Sequence, residues 1–144
     1  MRMMQFRMVR ITVGQFAILA DSVPDGDISG NLKLSVEVAP EVRQVAVGFS
    51  WSFDHEESRL MLIDMKCEFQ IRPEDWDKSI SDGKVTIPKS LVGILAAQTV
   101  GVARGVLYCK TEGTPFNGLI LPPLNVSDAV ESDIEVPVEA PSPE

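Results

Sequence analysis

Three stretches of this chain alternate apolar and polar residues one for one, and that period restricts the fold more than any other feature. Asn31 to Ala39 sets Leu32, Leu34, Val36 and Val38 against Lys33, Ser35 and Glu37. Gln44 to Phe53 sets Val45, Val47, Phe49, Trp51 and Phe53 against Gln44, Ala46, Gly48, Ser50 and Ser52. Arg59 to Ile71 puts Met61, Ile63, Met65, Cys67, Phe69 and Ile71 on one side. A period of two belongs to half-buried strands, and antiparallel sheets with one wet face read this way. Asp54-His55-Glu56-Glu57-Ser58 is a short polar break suited to a hairpin loop.

The segment from Met8 to Leu19 is less regular. Val9, Ile11 and Val13 fall on odd positions, Phe16 and Ile18 on even ones. A slip at Gly14-Gln15 is what one extra residue in a strand produces, so a bulge is expected there. Asp21 to Gly30, with Pro24-Asp25-Gly26 and Ser29-Gly30, reads as a long connecting loop. After Arg72-Pro73 comes a polar, irregular stretch carrying Trp76. Ile87-Pro88 then opens one long helix, which Gly113, just past Lys110-Thr111-Glu112, brings to a stop. Four strands and a helix make an α+β domain, a four-stranded antiparallel sheet backed by one long helix.

The helix centre is apolar nearly all round, and such a helix is normally covered on more than one side. Gly93, Ala97, Gly101 and Gly105 recur every four residues, leaving a flat strip that another backbone can approach. Glycine costs ~1 kcal/mol in a helix interior relative to alanine, so three of them point to compensating contacts. One sheet covers one side of this helix. The other side predicts a second subunit.

With 144 residues the chain has room for one domain, assigned to residues 1–127. Residues 128–144 carry six acids, no base and three prolines, and read as a disordered acidic tail. The net charge of −8 speaks against an electrostatic grip on nucleic acid. Met1 to Arg7 is followed by no apolar h-region, so no secretory signal is expected. The longest uncharged run, Ser90 to Ala103, has 14 residues, short of the ~20 that span a bilayer. Cys67 and Cys109 form no CxxC pair, and a reducing cytoplasm is the simpler setting.

No nucleotide, zinc-protease or serine-hydrolase motif occurs. The single histidine, His55, reads as a solvated turn residue. Asp75 and Asp77, flanking Trp76, read as surface charges, and Cys109 as a small buried residue. Nothing assembles a nucleophile, a base and an oxyanion site, so the expectation is a protein that is not an enzyme, with no metal and no cofactor. Leu60 and Leu62 fall on the outer, polar face of the last strand, beside Asp64, Lys66, Glu68 and Gln70. They are either incidental exposed leucines or a docking patch with an acidic border.

The order of elements resembles the SecB family of export chaperones. The motifs that carry the resemblance are Ala103-Arg104, Gly113-Thr114 and Leu119-Ile120-Leu121-Pro122-Pro123-Leu124-Asn125, with Leu62-x-Asp64 on the last strand. The resemblance covers roughly Met8 to Ala129. It implies a homotetramer, a dimer of dimers with the helices sandwiched at the interface, where the strip Gly93, Ala97, Gly101 and Gly105 would lie. It implies an ATP-independent holdase that keeps preproteins unfolded in apolar grooves and delivers them to the motor SecA. The SecA face carries over to Leu62 and Asp64, and the groove walls to Val23, Ile28, Phe116, Leu119, Ile120 and Leu121. SecB-like proteins also serve as chaperones of antitoxins, and some are encoded by phages. This sequence departs from the family in three places: Met8 to Ala20 has no acid, Val100-Gly101-Val102 lacks the Pro-aromatic pair, and the second helix is cut to a turn or two. The reading from a different class is a dedicated interaction module with one partner.

Overall fold

In a computed structural model, which describes residues 3–138, the alternating stretches are strands with the expected faces. Strands β1 (Phe6–Ile18), β2 (Ser29–Ala39), β3 (Gln44–His55) and β4 (Ser58–Ile71) form one antiparallel sheet in the order β1-β4-β3-β2. Residues opposite each other in an antiparallel pair project to the same side. Leu32 faces Trp51, Leu34 faces Phe49, and Phe49 faces Met65, so one side of the sheet is continuously apolar. Val45, Val47, Ile63, Cys67 and Phe69 are completely buried. Trp51 meets Phe53 edge to face at 5.5 Å, and a side chain at Gly30 would collide with the Trp51 indole.

The slip at Gly14-Gln15 is present as a register shift between Val13 and Gln15, and a second one separates Met8 from Arg10. Ile11 faces Cys67 and Val13 faces Met65, on the apolar side of the sheet. Both nevertheless stand exposed, Ile11 by 49%, because the helix packs mainly on β3 and β4 and meets β1 through Lys110 over the Phe16 ring.

Leu60 corrects the alternation argument. β3 and β4 shift register so that Met61 faces Phe53 while Arg59 faces Asp54, leaving Leu60 as the extra residue. A bulge re-aims its side chain. Leu60 is buried in the core, and its carbonyl accepts the Leu19 N–H at 2.8 Å.

Helix α2 (Lys89–Lys110) lies across the apolar face. Leu91, Val92, Leu95, Ala96, Thr99, Val100, Ala103 and Leu107 form its buried stripe, at helical spacing. By length and composition alone α2 would also cross a membrane, but here that stripe is packed on the sheet. Thr99 donates its hydroxyl to the Leu95 carbonyl at 2.9 Å. Burial beneath the helix pushes the Cys67 thiol up, an effect that the hydrogen bond with Thr99 partly offsets. Cys109 is exposed rather than buried. It lies two residues past Leu107, roughly 200° around the helix from the stripe.

The stretch around Trp76 is ordered, not irregular. Helix α1 (Pro73–Lys78) starts on a proline and carries Glu74 and Asp75 in its first turn, both favourable there. Trp76 is buried. Asp75 Oδ2 accepts the Gln5 N–H at 2.8 Å, while Arg72 N–H donates to the Gln5 carbonyl at 2.9 Å, which ties the amino-terminal strand down. A second, three-stranded sheet follows, of β5 (Ile80–Ser81), β6 (Lys84–Ile87) and β7 (Ile134–Pro137) in that order. Asp82 (φ 55°) and Gly83 (φ 74°) join β5 to β6 in a two-residue turn that needs positive φ at both positions.

Strand β7 corrects the expected tail. Disorder was inferred from the acids of residues 128–144, yet Ile134 and Val136 alternate with Glu135 and Pro137 and pair along β6. Residues 139–144 lie outside the described residues. Asp133, just before β7, accepts the Lys89 N–H at 2.8 Å and so satisfies a donor at the start of α2, where Pro88 offers no side-chain cap. Asp133→Ala should therefore lower stability by about 0.5–1 kcal/mol, with Asp133→Asn costing less, in thermal or urea unfolding.

Candidate peptide-binding groove

The chain leaves α2 through a capped turn. Thr111 is buried and donates to the Leu107 carbonyl at 2.8 Å, while Asn117 Nδ2 donates to the Tyr108 carbonyl at 2.9 Å. Thr114 accepts the Phe116 N–H and donates to the Thr111 carbonyl. Gly113, with φ 76°, takes the left-handed conformation that lets the chain reverse. The returning segment then runs back along the helix, held by Arg104. Its Nε donates to the Leu121 carbonyl at 2.8 Å and its Nη2 to the Pro122 carbonyl at 3.0 Å.

This return creates a groove of about 550 Å³ between the first half of α2 and the 3₁₀ turn Val126–Ala129. Leu124, Val126 and Val130 wall it, and Gly93, Ile94 and Ala97 line its helix side. A side chain built at Gly93 would touch nothing within 4 Å, so the helix backbone itself is open to an incoming chain.

The residues singled out for groove walls separate here. Phe116 and Leu121 are both 1% exposed, so they anchor the returning segment from below and are not open walls. Leu119 is half-buried, and Ile120 is 56% exposed. Val23 and Ile28 are half-buried at the β3–β4 hairpin end, where His55 Nδ1 and the Asp27 carbonyl are 3.0 Å apart. They do not line this groove. The strip divides as well: Gly93 and Ala97 belong to the groove, while Gly101 and Gly105 are exposed with open space over both. Leu124 is named from the sequence only as part of the motif Leu119 to Asn125, and Val126 and Val130 are not named as groove walls. The available signal is apolar residues persisting up to and just past Asp128, the first acid of the tail.

Leu62 and Asp64 meet on the outer face of the sheet, around a shallow hollow of about 180 Å³ shared with Gln15, Lys33 and Arg59. Ser50 Oγ donates to Asp64 Oδ1 at 2.5 Å. Arg10 and Lys66 stand within 4 Å of Glu68 nearby, so the face carries both signs of charge.

Arg104 is the residue on which the groove wall depends. Arg104→Ala should cost roughly 1–3 kcal/mol, the range for losing charged hydrogen bonds. Amide hydrogen exchange should rise in residues 119–126 more than in β3 or β4.

No family model matches the chain, and no curated protein does. Among solved structures, the Mycobacterium tuberculosis Rv1957 SecB-like chaperone, in complex with a ChAD peptide from the Rv1956 HigA1 antitoxin, is similar over 83% of this chain and 87% of that one. The identity is 14% and the TM-score 0.43.

Proposed function

We propose that the chain is a cytoplasmic, ATP-independent holdase that shields apolar segments of unfolded polypeptides in the groove along α2. The groove itself carries this reading: Leu124, Val126 and Val130 of the returning segment face a helix side lined by Gly93, Ile94 and Ala97. The small residues Gly93 and Ala97 on either side of Ile94 set little shape requirement, and apolar burial at ~25 cal/mol per Å² is indifferent to sequence. The SecB-like motifs support the reading, because Arg104, Thr114 and Leu121 are the residues that hold the groove wall. Leu119, Ile120, Val23 and Ile28 offer further apolar contact. Light scattering of a denatured client should be suppressed without ATP at stoichiometric amounts of the protein. Undiminished aggregation there counts against the holdase.

The client is an unfolded preprotein bound for SecA or a dedicated antitoxin, and the outer face favours the second. Lys33 and Arg59 share the hollow with Leu62 and Asp64, Arg59 also pairs with Asp54, and Arg10 and Lys66 pair with Glu68, so bases offset the acids of this face and leave a basic partner little acidic field to follow. If the face docks SecA, Leu62→Ala removes apolar contact. Asp64→Lys then adds repulsion, weakening SecA binding by about tenfold with a loss that shrinks as salt rises. For an antitoxin chaperone neither change alters SecA binding, and client holding survives in both cases.

The assembly belonging to this reading is a dimer of dimers joined across α2. Gly101 and Gly105 are bare, and Ile11, Val13 and Tyr108 are exposed, so the chain alone leaves this apolar surface uncovered. Gly101→Leu has room within one chain and removes a ~1 kcal/mol helix penalty. It should therefore keep or raise the stability of the single chain while native mass spectrometry shows fewer tetramers. An unchanged mass would place the interface elsewhere.

A further inference from the structure

We propose that the outer edge of β6 is a strand-addition site, filled in the resting chain by β7 and open to an extended polypeptide with apolar residues at alternate positions when β7 leaves. The proposal rests on the holdase reading only for the identity of the incoming chain.

The way β7 sits supports this. Ile134 faces Ile87, Val136 faces Val85, and Val138 N–H donates to the Gly83 carbonyl at 2.9 Å. In an antiparallel pair, hydrogen-bonded and non-bonded positions alternate. Val138 therefore marks Val136 and Ile134 as bonded positions, and Pro137 and Glu135 as non-bonded ones. Pro137, which has no N–H, falls where none is needed. Thr86, opposite Glu135, turns its N–H the other way, to the Ser79 carbonyl at 3.4 Å. Ile134, Val136 and Val138 share one face and are half-buried, while Glu135 and Pro137 are exposed. This is how an added peptide strand is held, by main-chain bonds along an edge with alternate side chains packed below.

The occupant has a limited hold. It has four residues, no strand among the described residues lies on its outer side, and of the exposed residues 131–133 leading to it Asp133 is tied to the Lys89 N–H. Beneath it, Val85 and Ile87 are completely buried, so vacating the edge opens apolar surface that another apolar strand would fill. Val130, in the groove wall, lies four residues before Ile134, which makes the groove and the β6 edge neighbouring stations for one bound chain.

A lock tests the exchange in the full chain. The Thr86–Glu135 pair is non-bonded, with an expected Cα separation of about 4.5 Å that suits a disulfide. Thr86→Cys with Glu135→Cys, in a Cys109→Ser background, gives one polypeptide that is locked when oxidised and free when reduced. The probe is a fluorescent peptide copying residues 132–140, followed by anisotropy. The reduced form should bind it about tenfold more tightly than the oxidised form, since only the reduced form populates the open edge. Equal affinities overturn the proposal. A second variant, Val136→Ser, loosens the resident strand without a crosslink and should bind the peptide more tightly than the parent; unchanged or weaker binding overturns it too. Client aggregation read on the parent chain is separate: its failure removes the holdase and leaves the peptide comparison intact.

Discussion

A helix of 22 residues has to close a sheet whose strands are 11 to 14 residues long, and it packs mainly on β3 and β4. Most of what surrounds the sheet follows from that mismatch. The end near Ile71 is finished by α1 and its buried Trp76, and the start of α2 is bordered by the small sheet and Asp133. The returning segment lies along the helix through two hydrogen bonds from Arg104. On β1 the end of α2 brings Lys110 over the Phe16 ring, while Ile11 and Val13 remain bare on the apolar face.

The sheet was legible because period-two alternation is decided residue by residue, and every inward residue named on β3 and β4 is buried. The bulge at Gly14-Gln15 was legible for the same reason: a phase slip is visible in the pattern. Leu60 was not, because its bulge sits at the hairpin end, where the polar turn hides any change of phase. The β5–β6 hairpin has a local signal in Asp82-Gly83, but its strands are too short for alternation to be counted. β7 was obscured by composition. Four acids are spread through residues 128–138, yet Ile134 and Val136 pair along β6 once β6 supplies an edge. Composition describes a segment in isolation, and strand pairing depends on what the rest of the chain presents.

The candidate site was legible in its supports and not in its surface. Arg104, Thr114 and Leu121 belong to the motifs and Phe116 to the groove walls that the resemblance implies, and all four serve to hold the return segment in place. The groove's own walls, Leu124, Val126 and Val130, are ordinary apolar residues with no specific geometry to enforce. A surface that accepts many apolar sequences need not carry a sharp motif, whereas the hydrogen bonds that fix its wall must.

The glycines of α2 draw the same distinction. Each weakens the helix by ~1 kcal/mol relative to alanine, and none of the three is forced by a clash within the chain, since a side chain at Gly93, Gly101 or Gly105 would meet nothing within 4 Å. Folding of one chain alone therefore gives no reason for them. Gly93 opens the helix backbone to the groove, and Gly101 and Gly105 open it on the exposed arc. The cost falls on the single chain, while any benefit needs a second polypeptide lying against the helix. The holdase and the assembly proposed above use these two openings, an extended segment lying at Gly93 and a neighbouring subunit packing at Gly101 and Gly105.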